Sequence, residues 1–309
     1  MPTLTVRHVT KYRYRQPVAF GEHRMMLRPR DCPDQRVIEA TLAIYPKPEK
    51  LRFVHDAFGN HLGIARFAGR SRELTFESAI RLDHRPPALE ALESEDYASV
   101  FPFQYAADEL PDLSSFMERL HADPANVVGA WATRFVSRRG AGGTFELLAA
   151  INHGIYEGFR YRRREAKGIQ TPVETLELGQ GSCRDFAVLM IEATRSLGFA
   201  ARFASGYLAI PFDDPDESSG GSTHAWAQIY VPGAGWIDFY PTTDKIGKRN
   251  LVTVAIVRDP RHAIPLHGTF FGRASDPLGM EVAVTVTSGA RPELVAAPRR
   301  GGALSILHA

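Results

Sequence analysis

The segment Gly179-Gln180-Gly181-Ser182-Cys183-Arg184-Asp185-Phe186-Ala187-Val188-Leu189-Met190-Ile191-Glu192-Ala193-Thr194-Arg195-Ser196-Leu197-Gly198 carries its own helix punctuation. Ser182 is a good N-cap, Asp185 puts an acid in the first turn, and Gly198 is a good C-terminal stop. A helix over this run starts on Cys183. At that position the unpaired amides and the positive end of the helix dipole favour a thiolate, the condition for a sulfur nucleophile. The amide of Cys183 would also point to where a carbonyl oxygen becomes negative. Gly179 and Gly181 let the chain come close to a substrate. A lone cysteine is more often a small buried hydrophobe, so the chemical reading depends on a base elsewhere in the chain.

Downstream, Thr223-His224-Ala225-Trp226-Ala227-Gln228-Ile229-Tyr230-Val231 alternates as a strand. Pro232-Gly233-Ala234-Gly235 turns it into a second, Trp236-Ile237-Asp238-Phe239-Tyr240. A histidine that begins one strand of a hairpin can be oriented by a residue near the end of the other, which makes His224 the candidate base.

Upstream, residues 1–83 alternate apolar and polar side chains in short bursts, as in Leu4-Thr5-Val6-Arg7-His8-Val9 and Glu73-Leu74-Thr75-Phe76-Glu77. A period near two marks strands with one buried face, so these residues form an antiparallel β-rich module. Asp56-Ala57-Phe58-Gly59-Asn60 has the chemistry of a tight turn between two of the bursts. The pattern fails over 84–111, where Pro86, Pro87, Pro102 and Pro111 interrupt it, and a linker lying on its neighbours is expected. Residues 112–289 then form the core. Pro124 is read as the start of a helix carrying Val127, Val128, Trp131 and Phe135, and Gly143-Thr144 as the start of one carrying Leu147, Leu148, Ile151 and Ile155. Glu281–Val286 looks like a closing strand, and 290–309 like a loosely held tail.

Composition sets outer bounds. The chain has 309 residues, 44% of them hydrophobic, and 37 Lys+Arg nearly cancel 35 Asp+Glu to leave a net charge of +2. That balance makes no electrostatic case for nucleic acid or an anionic membrane as main partner. No run approaches the ~20 apolar residues that span a bilayer. The first residues lack the basic start and apolar stretch of a secretory signal, so a cytoplasmic address is expected. Cys32 and Cys183 are the two cysteines, too few for a disulfide framework or an all-cysteine metal site, and both thiols are expected to be free.

Gly181-Ser182-Cys183-Arg184-Asp185-Phe186-Ala187, then the stretch Gly198–Leu208, His224-Ala225-Trp226, and Gly235-Trp236-Ile237-Asp238-Phe239-Tyr240-Pro241-Thr242 occur in an order that resembles the transglutaminase-like cysteine hydrolase superfamily in its bacterial form. The β-rich start, with Leu27-Arg28-Pro29-Arg30 and the turn at 56–60, resembles the amino-terminal domain accompanying that core. The resemblance implies an α+β fold with a papain-like core, in which the nucleophile's helix packs on an antiparallel sheet carrying the histidine. It implies a Cys-His-Asp triad, with Cys183 attacking an amide carbonyl and His224 moving the proton. No cofactor and no metal are expected for this chain.

One position departs from the pattern. Where the family places the triad aspartate directly before Pro-Thr, this chain has Tyr240. Asp238, two residues or roughly 6.6 Å back along the same strand face, is the expected third member after a shift of register. Tyr240 itself, or loss of the position, are the competing readings, and Asp244 is another carboxylate within reach. The implied function is hydrolysis of an amide or isopeptide bond in a peptide or protein through an acyl-enzyme thioester. The alternatives are transfer of a glutamine acyl group to an amine and a catalytically inactive peptide-binding scaffold.

The remaining features are weaker. Asp213, Asp214, Asp216 and Glu217 lack the ligand order of a calcium loop and read as a solvated acidic loop. Arg162-Arg163-Arg164, followed by Glu165, reads as a solvated basic run rather than a nucleic-acid site, with selection of an acidic substrate group as the functional alternative. Trp226 and Trp236 are expected to wall an acyl site or simply to pack.

Overall fold

A computed structural model describes residues 3–136, 142–163, 168–208, 223–249, 251–288 and 304–306. Its first five strands, β1 (Thr3–Met25), β2 (Gln35–Tyr45), β3 (Lys50–His55), β4 (His61–Arg66) and β5 (Arg70–His84), form the amino-terminal sheet. The middle of the chain supplies β6 (Val100–Phe101), α1 (Leu110–Met117), α2 (Val127–Thr133), β7 (Gly142–Gly143) and α3 (Thr144–Gly158). There follow β8 (Arg160–Tyr161), α4 (Pro172–Leu178), β9 (Gln180–Gly181) and α5 (Cys183–Ser196). The second sheet comes from β10 (Ala201–Leu208), β11 (Thr223–Val231), β12 (Gly235–Tyr240), β13 (Lys245–Ile246) and β14 (Leu251–Val257), in the order β13-β12-β11-β10-β14. The last strands are β15 (Leu266–Phe271), β16 (Pro277–Ser288) and β17 (Leu304–Ile306).

These last strands correct the expected domain boundary. Residues 266–288 leave the core and return to the amino-terminal sheet, where β16 pairs with β1 from Leu4↔Ser288 to Tyr14↔Pro277 and β15 pairs with Ala19–Met25. The physical reason is the length of β1: β5 covers only one of its edges, and the other would expose unpaired ladder groups over more than ten residues. The alternation in Glu281–Val286 announces a strand but does not say which edge it seeks. Leu304–Ile306 likewise pairs with β2, so these three residues are not loose; the rest of the expected tail lies outside the described residues.

The helix expected from Pro124 begins at Val127 instead. Asn126 adopts a left-handed conformation, and the side chain of Asp123 accepts hydrogen bonds from the amides of Val127 and Val128, at 2.8 and 3.0 Å. The helix expected at Gly143-Thr144 is α3.

The core of the second half is α5 lying on one face of the five-stranded sheet. Every residue from Asp185 to Arg195 is buried. Its two deepest charges, Glu192 and Arg195, pair at 2.9 Å. Glu192 also accepts from the amides of Leu120 and His121, and Arg195 donates to the carbonyls of Phe116 and Ala201. A buried pair is tolerated when its remaining donors and acceptors are satisfied in this way. The other face of the sheet is strapped by the segment expected as a linker, in which the Tyr105 hydroxyl accepts from the Ala200 amide and donates to the Tyr230 carbonyl.

The two halves share one core. Leu4, Val6, Val37, Ile80 and Leu82 pack in the same cluster as Val252, Val254 and the residues of α5. The free edge of β14 is closed by side chains rather than by a strand. The Gln35 amide donates to the Thr253 carbonyl at 2.7 Å and accepts from its N–H at 2.9 Å. The Asn60 amide does the same at Ile256, with distances of 2.8 and 2.9 Å. Asn60 is delivered there by the Asp56–Asn60 turn, in which the Asp56 carboxylate accepts from the Phe58 and Asn60 amides. Side-chain amides therefore stand in for a sixth strand and protect the edge.

Candidate active site

Cys183 is the first residue of α5, and Ser182 before it is extended. The Asp185 carboxylate fixes this start. One oxygen accepts from the Ser182 amide and hydroxyl, each at 2.8 Å, and the other accepts from the Gln170 amide at 2.8 Å. A Cβ on Gly181 would come within 2.9 Å of Asp185 Cβ, so the approach to the cysteine needs glycine. β9, just ahead of Cys183, pairs in parallel with β8, and the Arg162 amide donates to the Gly181 carbonyl at 2.8 Å. This pairing makes Tyr161, Arg162 and Arg163 an exposed lip beside the cysteine, and Tyr161 stacks edge-on against Phe186. Burial pushes the Tyr161 phenol up, and the charge of a Cys183 thiolate pushes it further. Arg164, the last of the basic run, lies outside the described residues, as does the acidic stretch 213–222.

β11 meets the helix start from the other side. The backbone N–H of Ala225 bonds to the Cys183 sulfur, and Cys183 packs against the cluster containing Trp226 and Tyr240. His224 immediately precedes Ala225, so the structure brings the expected nucleophile and base to one place. Gly206 lies opposite His224 across the β10–β11 ladder, where β10 is bulged against β14. A Cβ there would fall 1.9 Å from the Val252 carbonyl oxygen, so no other residue fits without moving backbone.

The side chain that lies against His224 is not the expected one. His224 Nδ1 shares a hydrogen bond with the Tyr240 hydroxyl, and the two rings stand edge to face at 5.7 Å. Asp238 is instead buried beneath the hairpin, where one oxygen accepts from Trp226 Nε1 and from Gln228 Nε2 at 2.9 Å. Its other oxygen is 4.0 Å from Lys248 Nζ. The register explains the correction. Asp238 is paired opposite Gln228, four residues along from His224, whereas Tyr240 lies two residues nearer the end of the hairpin and is long enough to reach the ring. No slip of register occurs. Asp244 also does not reach His224; it accepts from Asn152 Nδ2 at 2.8 Å and pairs with His153 Nδ1 at 2.7 Å, fastening the turn after Tyr240 to α3.

The electrostatics differ from a resting thiolate. Burial pushes the Cys183 thiol up, against the Ala225 amide, the Arg184 charge and the Arg184 amide, which favour the thiolate. Burial also lowers His224 to about 4. Both groups are therefore neutral at rest near pH 7. Arg184, next in sequence to the nucleophile, lies over the Phe203 ring and donates to the Pro260 carbonyl at 3.0 Å. It was not singled out from sequence, although its position beside Cys183 was visible; Tyr161 had no sequence signal at all. Cys32 is remote in character: its thiol donates to Asp34 at 2.7 Å and is pushed up to about 11 by burial and that carboxylate. Both cysteines are free. Among the described residues no group of three or more His, Cys, Asp or Glu side chains is arranged to hold a metal, and no helix is long and apolar enough to cross a membrane.

A family model described as the bacterial transglutaminase-like N-terminal region matches residues 4–83, and one described as the transglutaminase-like superfamily matches residues 130–241. An uncharacterized protein of Mycobacterium tuberculosis (strain H37Rv), Rv2569c, is 30% identical over 293 residues, covering 91% of either chain, and one of Mycobacterium bovis matches equally. The crystal structure of a "putative cysteine protease" from Cytophaga hutchinsonii superposes with a TM-score of 0.67 at 18% identity, covering 95% of this chain and 92% of that one. That likeness shows the fold.

Proposed function

This chain belongs to the transglutaminase-like superfamily and carries its bacterial amino-terminal region, and from that premise we propose that it hydrolyses amide or isopeptide bonds through a Cys183 acyl-enzyme. The observation that carries the proposal is the meeting of the α5 start with β11, where the Ala225 amide contacts the Cys183 sulfur beside a histidine held by Tyr240.

In this reading the neutral Cys183 thiol gives its proton to His224 Nε2 as sulfur attacks the carbonyl carbon. Nδ1 keeps its proton throughout and donates a hydrogen bond to the Tyr240 oxygen. The carbonyl oxygen becomes negative beside the amide of Cys183, one of the first-turn groups that a helix leaves without an internal partner. His224 returns the proton to the departing amine as the C–N bond breaks, leaving a thioester. Water, deprotonated by His224, attacks the thioester, and the acid leaves with the thiol restored. A hydroxyl holds an imidazolium less strongly than a carboxylate does, so the histidine acts as a base only during attack and not as a preformed ion-pair partner.

The test uses iodoacetamide near neutral pH, with Cys32 as internal control. Cys183 should react faster than Cys32, and His224→Ala should remove the difference. Equal, slow labelling of both thiols would leave an inactive peptide-binding scaffold. Incubation of a glutamine-containing peptide with a labelled primary amine separates the reactions: ammonia or peptide release without amine incorporation supports hydrolysis, and incorporation assigns acyl transfer. A reducing, cytoplasmic setting is part of the proposal, since it keeps the nucleophile as a thiol.

A further inference from the structure

A cavity of about 210 Å³ opens on the amino-terminal sheet, far in sequence from the cysteine and without a part in its chemistry. Its floor is apolar, from Met25, Leu42 and Phe53. Gly63 makes the floor possible, because a Cβ there would come within 2.8 Å of Met25 Cγ and 3.2 Å of Phe53. Polar groups converge above it. His55 and His61 face each other across the β3–β4 ladder with ring centroids 4.5 Å apart, and Arg28 and Ser78 complete the wall.

Arg28 is the unusual member. It is the one arginine in the lining, and among the described residues no carboxylate forms an ion pair with its guanidinium. The carboxylate that bears on this region, Asp31, accepts from the Val37 amide at 2.6 Å. Arg28 lines the cavity with no counter-charge beside it, so the outward N–H groups of its guanidinium are left to whatever occupies the cavity. Burial, with the charges of Arg28, His55 and Arg30 opposed by Asp31, holds His61 down to about 4. At neutral pH it therefore enters as an uncharged ring with one N–H to donate.

We propose that this cavity binds a carboxylate standing next to one apolar side chain, as at the C-terminal residue of a peptide. The planar fork of a guanidinium matches a carboxylate through two parallel N–H groups, and the single permanent cation suits a monoanion better than a phosphate dianion. The cavity is smaller than the roughly 300–1,000 Å³ of pockets for drug-sized ligands, so its apolar part admits one side chain.

Calorimetric titration of the full chain with N-acetyl-leucine, N-acetyl-leucinamide and Ala-Ala-Leu tests the assignment. The free acid should bind, and the amide about 10-fold more weakly or worse, the size of one lost charge-assisted contact. Arg28→Met should weaken the acid by a similar factor while leaving Cys183 alkylation and the denaturant midpoint unchanged, because Arg28 lines this cavity and not the Cys183 site. Tighter binding of the tripeptide than of N-acetyl-leucine assigns a peptide chain end; equal binding assigns a free acid with the same chemistry. Equal binding of acid and amide, an unaffected Arg28→Met variant, or no binding at millimolar ligand would overturn the proposal. None of these outcomes depends on the thiol chemistry.

Discussion

Replacing Tyr240 by phenylalanine removes one hydroxyl from a residue that is 1% exposed and leaves the rest of the ring in place. In the resting site that hydroxyl shares a bond with a neutral imidazole, worth about 0.5–1.5 kcal/mol, and in the attacking site it accepts from an imidazolium, worth about 1.5–3 kcal/mol. The difference, about 1.4 kcal/mol, is the part that helps the reaction and corresponds to about a tenfold loss of rate. The assay is the second-order rate of Cys183 alkylation by iodoacetamide at pH 7.5, read by mass spectrometry, with Cys32 reporting unspecific change. Tyr240→Phe should slow Cys183 about tenfold and leave Cys32 unaltered. Tyr240→Asp, which restores a charged acceptor if it reaches Nδ1, should not be slower than Tyr240→Phe. Two results would refute the reasoning. An unchanged rate would mean that the Tyr240 contact does not orient the base. A larger loss in Asp238→Asn than in Tyr240→Phe, with the fold intact, would return Asp238 to the catalytic group; a carboxylate orienting the histidine of a triad is worth about 10⁴-fold in the serine-protease template.

Three further outcomes follow from the same interactions. With His224 near 4 and the Cys183 thiol pushed up, alkylation of Cys183 should climb steadily from pH 6 to pH 9; a plateau beginning near pH 5 would demonstrate a thiolate–imidazolium pair instead. His8, 2% exposed between the Tyr207 hydroxyl and Thr10, is held neutral with its pKa lowered to about 4. The unfolded chain then binds more protons between the two pKa values, so its stabilisation is present above pH 6.5 and is lost as pH falls towards 4, by about 3 kcal/mol at most. Denaturant unfolding at pH 7 and pH 4.5 should show a smaller fall in His8→Gln than in the parent, and equal falls would exclude His8. Asn60→Ala strips the Ile256 end of β14 of two partners and should cost about 2–4 kcal/mol in denaturant unfolding; a loss below about 0.5 kcal/mol would mean that the side-chain seal on the sheet edge is unimportant.

The amino-acid sequence by itself determined the elements whose signals are local. Ser182, Asp185 and Gly198 punctuate α5, the alternation around His224 and the Pro232–Gly235 turn make the β11–β12 hairpin, and Asp56–Asn60 makes its turn, because capping and turn chemistry act over a few residues. Three matters were decided only in the folded chain. The partner of His224 depends on register and side-chain reach together, and residue order alone cannot tell a carboxylate two positions back from a longer phenol at the end of the strand. The return of β15 and β16 to β1 depends on which edge stays open after all other strands have paired. The ionisation of the site depends on burial: the start of a helix favours a thiolate, yet the desolvation that comes with packing against β11 outweighs it and leaves Cys183 and His224 neutral until a substrate arrives.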